Sequence, residues 1–284
     1  MSGFPTTPEE LTPGRLTEDL RASGHLGTGR VAAVACELIG NGKMGDNVRL
    51  SLTYDAAGAG APATLVAKLP AADERARSMA GAGGAYYNEV MFYRELAPHT
   101  SMRTPAIYAS ELSDDRRSFL LLMEDLHPAQ PGNQLVGATR AQASVALREA
   151  ARLASAFYGD ETLADRDHVQ SPARRDRGAM GQALMTQAWP DFVDRFGHGL
   201  SADALAFGEH YVAHHAHFAT RYTGPKTLVH GDFRSENILF HGDTAATVDW
   251  QTTSESSPLA DAAYFLGGSL DVDDRRAAER ELVE

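Results

Sequence analysis

The segment His230-Gly231-Asp232-Phe233-Arg234-Ser235-Glu236-Asn237 is entered from the apolar Thr227-Leu228-Val229 and left through Ile238-Leu239-Phe240. A loop held between two short strands in this way presents Asp232 and Asn237 on rigid flanks, and Val248-Asp249-Trp250 brings a second carboxylate from a further strand. Three oxygen-bearing side chains so placed suit phosphoryl transfer. Mg2+ takes hard oxygen ligands while keeping room for water and phosphate oxygens, and one carboxylate is left to orient an acceptor hydroxyl. Taken alone, the same residues fit equally well two acidic hairpin turns on a solvated surface.

Upstream segments add to the phosphate chemistry. Gly40-Asn41-Gly42-Lys43-Met44-Gly45 lies between two predicted strands, where Gly40, Gly42 and Gly45 would let the backbone approach phosphates closely. A dinucleotide fingerprint would instead open a helix after a strand, so the placement excludes that reading. Lys68 sits in the apolar strand Val66-Ala67-Lys68, and an ammonium buried there without a partner costs several kcal/mol. A carboxylate or phosphate must therefore be near. Glu89, in the next predicted helix, is the natural partner; Glu95 on the same helix is its rival, and a lysine snorkelling from the strand end is the alternative.

The elements that must position these groups follow from periodicity. Thr12-Pro13 opens a short helix towards Ser23, expected to be peripheral. Val31–Ile39, Val48–Tyr54 and Ala63–Leu69 read as an antiparallel meander, and Tyr86, Val90, Tyr93 and Leu96 place one helix before Pro98. Two more strands fall at Ala106–Glu111 and at Ser118–Met123, the latter apolar enough to be buried on both faces. The stretch HPAQPGNQ reads as an extended linker, which places a domain boundary there: 1–124 nucleotide-binding, 125–284 catalytic and substrate-binding. Thr139 caps a helix to about Tyr158 and Ser201 caps another over Ala202–Tyr222, with less regular helix between. Short strands return at Thr227–Val229, Ile238–Phe240 and Ala245–Val248, before helices at Leu259–Leu266 and Asp273–Val283.

In order, the glycine loop, strand lysine, helical glutamate, apolar strand, linker, HxDxxxxN loop and Asp after a strand resemble the protein-kinase-like fold. The nearest likeness is to the aminoglycoside phosphotransferase superfamily, in its ecdysteroid-kinase-like (choline-kinase-like) branch. LVHGDFRSENILF, TVDWQ, PLADAAYFLGGSL, YYNEVMFYREL and FLLLMEDL carry it, over roughly residues 30–284. The fold class expected is α+β and bilobal, with an N-terminal antiparallel sheet and one helix, then a mainly helical C-terminal lobe. The resemblance implies ATP and Mg2+ as cofactors, Asp232 as the catalytic carboxylate, and Asn237 and Asp249 as metal ligands. Lys68 would meet the α- and β-phosphates while paired with Glu89. Arg234 would place a cation on the transferring phosphate. Met123-Glu124-Asp125-Leu126 would be the hinge to adenine, with Glu124 and Leu126 as its contacts, and Asp261 a structural carboxylate that caps its helix or binds the catalytic-loop backbone. GNGKMGDN departs from the protein-kinase spacing before its valine, and HGD with VDWQ marks small-molecule kinases, since protein kinases show HRD, DFG and APE.

Composition bounds the partners. With 38 acidic against 26 basic side chains and a formal charge of −12, a nucleic acid or an anionic membrane would be repelled. The single Cys36 forbids an intrachain disulfide, no apolar run is long enough to span a membrane, and the start lacks a signal-peptide pattern, so the expected location is cytoplasmic. His210, His214 and His217 share a helix face without an accompanying HExxH pattern and read as a solvated or cleft-lining stripe; His215 reads as a core histidine and His230 as a loop brace. The closing ERELVE shows no helix stop, so the second domain is expected to lack its last helices. The reading is an ATP- and Mg2+-dependent transfer of the γ-phosphate to a small-molecule hydroxyl. A nucleotide-binding pseudokinase or regulatory module without turnover is the alternative.

Overall fold

A computed structural model of the chain describes residues 5–40, 44–56, 60–171 and 177–284. Five strands build its first sheet: β1 (Val31–Ile39), β2 (Gly45–Tyr54), β3 (Thr64–Pro70), β4 (Ile107–Leu112) and β5 (Phe119–Glu124). They pair antiparallel throughout in the order β1-β2-β3-β5-β4, the first three as the meander pattern predicts, with β5 rather than β4 next to β3. Phe119 to Met123 are all buried, because β5 lies between β3 and β4 with a hydrophobic cluster on each face.

The sheet half holds one helix more than the two segments expected, the addition being the helix over Glu74–Gly83. Its first helix, α1 (Pro13–Ala22), is capped by Thr12, whose hydroxyl accepts from the Arg15 amide at 3.3 Å. Far from being peripheral, it seats fully buried Leu16 and Leu20 in the cluster formed with Val48, Leu50, Leu65 and Leu122. Between β3 and β4 the chain forms α2 (Glu74–Gly83) and α3 (Ala85–Met91), then a π-helical turn over Phe92–Leu96. Gly84, at φ +78°, breaks the path between α2 and α3, a conformation that costs a glycine nothing. The glycine-rich run before Tyr86 hides α2 from a periodicity reading.

The C-terminal part is mostly helical, with two small sheets at its centre. Its helices are α4 (Arg140–Ala156), α5 (Arg177–Phe196), α6 (Ala202–Thr220), α7 (Ala260–Ser269) and α8 (Val272–Val283). Thr139 and Gln142 close a reciprocal capping box on α4, and Ser201 caps α6. Strands β6 (Gln130–Pro131), β8 (Ile238–His241) and β9 (Thr244–Thr247) form one sheet, and β7 (Thr227–Val229) pairs with β10 (Ser254–Ser256). The expected linker is thus partly structured: Gln130 and Pro131 pair with Phe240 and Leu239. Next to them the Gly132 amide donates to the carbonyls of Ser235 and Ile238 at 3.0 and 3.1 Å, strapping this segment to the HGDFRSEN loop. His215, expected in the core, is half-buried, its Nδ1 3.2 Å from the Tyr211 hydroxyl.

Candidate active site

β3 carries Lys68 inward, and its ammonium reaches two carboxylates: Glu89 Oε1 of α3 at 2.7 Å and Asp249 Oδ1 at 2.9 Å. The rival Glu95 turns elsewhere, to Arg166 at 2.9 Å. Helical geometry explains the choice. Positions six apart on a helix lie well away from one another around its axis, so Glu89 faces the sheet when Glu95 does not. Burial opposes the charge on Lys68, but Asp249 and Glu89 outweigh it and raise its pKa above the ordinary lysine value. Burial likewise pushes Glu89 up, whereas Asp249, more exposed, is held below the usual carboxylate range by Lys68 despite its own burial.

Asp249 sits at φ 68°, ψ 65°, in the left-handed region, at a cost of about 1 kcal/mol for a residue with a side chain. Its neighbours fix it there. Trp250, fully buried, stacks on Phe92 with ring centroids 3.6 Å apart and planes 6° from parallel. Gln251 donates from Nε2 to Glu89 Oε2 at 3.2 Å and accepts at its carbonyl from Asn88 at 3.1 Å. Gln251 was no candidate from sequence, although it stands in the TVDWQ motif directly after Asp249 and Trp250.

The HGDFRSEN loop is braced from beneath. Asp261, buried at the start of α7, accepts from the amides of His230 at 2.7 Å and Gly231 at 3.0 Å, which settles the two roles open to it in favour of the loop backbone. Burial raises its pKa, against the pull of His230 and of these two amides. Gly231 has φ +84°, and a Cβ there would meet the Thr252 carbonyl oxygen at 2.5 Å, so only glycine serves. His230 accepts at Nδ1 from the Asp232 amide (3.2 Å), so its Nε2–H donates to the Val248 carbonyl (3.0 Å). It is a loop brace, as expected, and it ties the strand before Asp249 to the loop bearing Asp232.

At the mouth of the loop, Asp232 Oδ2 accepts from Arg234 Nε at 3.1 Å and Asn237 Nδ2 at 3.0 Å, and Oδ1 accepts from the Tyr264 hydroxyl at 3.2 Å. Asn237 Nδ2 also donates to the Asp232 carbonyl at 2.9 Å, so both of its amide hydrogens are spent and Oδ1 is left to accept. Among the described residues, Asp249 likewise keeps Oδ2 free, since Lys68 takes Oδ1. Both free atoms are hard oxygens, and two carboxylates share the single Lys68 ammonium. This donor set fits a divalent cation such as Mg2+. Among the described residues no group of three His, Cys, Asp or Glu side chains forms a metal site of another kind, the histidine stripe included.

The remaining candidates are placed as follows. Gly40 follows β1 directly, at φ +72°. Gly42 lies outside the described residues. Gly45 is the first residue of β2 rather than part of the loop, and a Cβ on it would stand 2.9 Å from the Leu69 carbonyl oxygen and 3.8 Å from Lys68 Cε. Glu124 closes β5; burial works against its charge, yet Arg103 Nη2 at 2.5 Å and the Ala106 amide hold its carboxyl below the usual range. Leu126 follows, half-buried, its carbonyl accepting from Ala129 at 2.8 Å, while Asp125 between them is clamped by Arg49 of β2 at 2.8 Å.

An antiparallel sheet bearing a lysine–glutamate pair, joined to a helical part that supplies HxDxxxxN and a further aspartate, defines the kinase-like class of fold. Solved aminoglycoside phosphotransferases share it. The GDP and kanamycin complex of APH(2")-IIIa matches with a TM-score of 0.57 over 93% of this chain and 81% of that one, at 16% identity. The gentamicin complex of APH(2")-IIa matches at 0.54 over 99% and 85%, with 14% identity. The sequence model of the Ecdysteroid kinase-like family matches residues 40–284, and the chain belongs to that family. Short stretches are 49% identical over 41 residues to acyl-CoA dehydrogenase family member 10 of Mus musculus and 48% over 42 residues to member 11 of Gallus gallus. They cover 13% and 14% of this chain, which spans only 4% and 5% of those relatives' lengths.

Proposed function

We propose that the chain is an ATP- and Mg2+-dependent O-phosphotransferase that moves the γ-phosphate of ATP to a hydroxyl of a small molecule. The observation that carries this reading is Lys68 bridging Glu89 and Asp249, beside an Asn237 whose Oδ1 is left free. Residues 1–124 are read as the nucleotide lobe and 125–284 as the catalytic and acceptor lobe. Gly40 would border the phosphates, Gly45 stands where a Cβ would come within 3.8 Å of Lys68 Cε, and the Glu124–Leu126 backbone would border adenine. Asn237 Oδ1 and Asp249 Oδ2 hold Mg2+, which when bound offsets phosphate charge.

The chain's own residues do the rest. Lys68, fixed by Glu89, sets the α- and β-phosphates. Asp232 orients the acceptor hydroxyl and takes its proton as the new P–O bond forms and the bond to the β-phosphate oxygen of the departing ADP breaks. Arg234 keeps Nε on Asp232 Oδ2, while its Nη1, now on Glu236, would turn to the transferring group. The family membership and kinase-like fold support this assignment.

The test is ATP turnover against a panel of hydroxylated small molecules. One acceptor is expected to become phosphorylated in a Mg2+-dependent way, and Asp232→Asn should lower kcat by at least a hundredfold while Mg·ATP still binds. Retained turnover in Asp232→Asn would sink the assignment; nucleotide binding without any turnover would favour a regulatory module.

A further inference from the structure

Tyr264 projects from α7 one turn after Asp261, so the helix that braces the HGDFRSEN loop from beneath also reaches its catalytic face. Its hydroxyl donates to Asp232 Oδ1 across 3.2 Å, long for a hydroxyl–carboxylate bond and with room to shorten. Burial and the nearby Asp232 charge raise its phenol pKa, which keeps it a neutral donor at neutral pH. About half of the side chain is exposed, so the ring faces the space in front of Asp232 rather than the core.

Counting acceptor sites on Asp232 shows where a substrate hydroxyl can go. An ionised carboxylate offers about four lone-pair positions, two on each oxygen. Arg234 Nε and Asn237 Nδ2 occupy both on Oδ2, and Tyr264 occupies one on Oδ1. Among the described residues nothing occupies the fourth, which lies on the same oxygen that Tyr264 holds.

We propose that Tyr264 is a positioning residue for phosphoryl transfer: by holding Asp232 Oδ1 it leaves that oxygen one open site, and the acceptor hydroxyl docks there in contact with the phenol. This rests on the function proposed above. With the hydroxyl of Tyr264 removed, Oδ1 has two equivalent vacancies and Asp232 loses one of three fixed hydrogen bonds. The acceptor oxygen is then oriented less often for attack, while the nucleotide, held by Lys68 and Asp249, is unaffected.

Because water is the smallest acceptor, the experiment needs no identified substrate. Steady-state Mg·ATP hydrolysis would be measured for the wild type, Tyr264→Phe, Tyr264→Ala and Asp232→Asn, with Mg·ATP affinity from calorimetry on each. Tyr264→Phe is expected to lower kcat about tenfold with KM for ATP and calorimetric affinity unchanged, a split that a loosened fold would not give. Tyr264→Phe at the wild-type rate beside an inactive Asp232→Asn overturns the role of Tyr264, and if only Tyr264→Ala is impaired the ring acts by bulk instead. A wild type that fails to bind Mg·ATP, or an Asp232→Asn protein with undiminished hydrolysis, overturns the kinase reading and this inference with it.

Discussion

Lys68 is the residue on which most of the site's electrostatics turn. Its ammonium is buried and neutralises parts of two carboxylates, one of them, Glu89, almost inaccessible to water. Replacing it with methionine keeps the stem but strands those charges, and breaking a buried pair from one side costs about 3 kcal/mol or more. Urea denaturation should show Lys68→Met destabilised by about that amount at pH 7. The sign of the pH dependence follows from the raised pKa. A base bound more tightly to its proton in the folded state contributes fully below the unfolded lysine pKa of about 10.4, and that contribution fades as pH rises through the higher folded value. The difference between wild type and Lys68→Met should therefore stay constant from neutral pH to about pH 10 and shrink only above it. A difference that fades near pH 8 would mean that Lys68 is not held by these carboxylates. The pairing was legible in sequence because an apolar strand cannot carry an unpaired ammonium. Glu89 was the natural choice there too and is the partner found, but setting its rival Glu95 aside needed the fold, since that depends on which helix face meets the sheet.

Among the elements, the short strap from β6 into Gly132 has the least obvious sequence signature and one of the tightest fits. A Cβ on Gly132 would stand 2.7 Å from Ser235 Cβ and 2.8 Å from the Ser235 carbonyl oxygen, in the loop that carries Asp232 and Asn237. Gly132→Ala must push the strap or the loop aside, and overpacking of this kind costs about 1–3 kcal/mol. Thermal unfolding should register that loss. Turnover should fall further than Mg·ATP affinity, because Asp232 is displaced while Lys68 on β3 is not. An alanine variant with wild-type stability and rate would mean that the strap bears no weight on the loop. HPAQPGNQ reads as a linker because two-residue pairings leave no periodicity; only the partner strand β8 reveals them. By contrast, β2, β5 and α4 were visible in outline, since alternation, continuous apolarity and a capping threonine are local signals. The split of α2 from α3 was hidden by Gly83 and Gly84, and the seating of α1 by the need for a sheet to pack it against. Gln251 and Tyr264 share a different cause. Each is ordinary by type and gains a role only from what the fold sets opposite it: Glu89 in one case, Asp232 in the other.

At the scale of the whole molecule, the site exists only where the two parts of the chain meet. The sheet brings Lys68, α3 brings Glu89, and segments more than a hundred residues later bring Asp232, Asn237 and Asp249. Phe92 stacked on Trp250, and Asn88 and Glu89 on Gln251, are the seams that hold them in register. Order along the sequence exposed this arrangement because each piece has its own local pattern, whereas the distances between pieces required the fold. The central claim is that this junction binds ATP through a cation held by Asp249 and Asn237. The most direct measurement is calorimetric titration of ATP, with and without Mg2+, into the wild type and Asp249→Ala. Binding that requires Mg2+ and falls at least tenfold in Asp249→Ala is the predicted result. Binding indifferent to both Mg2+ and Asp249, or no binding to either protein, would contradict it.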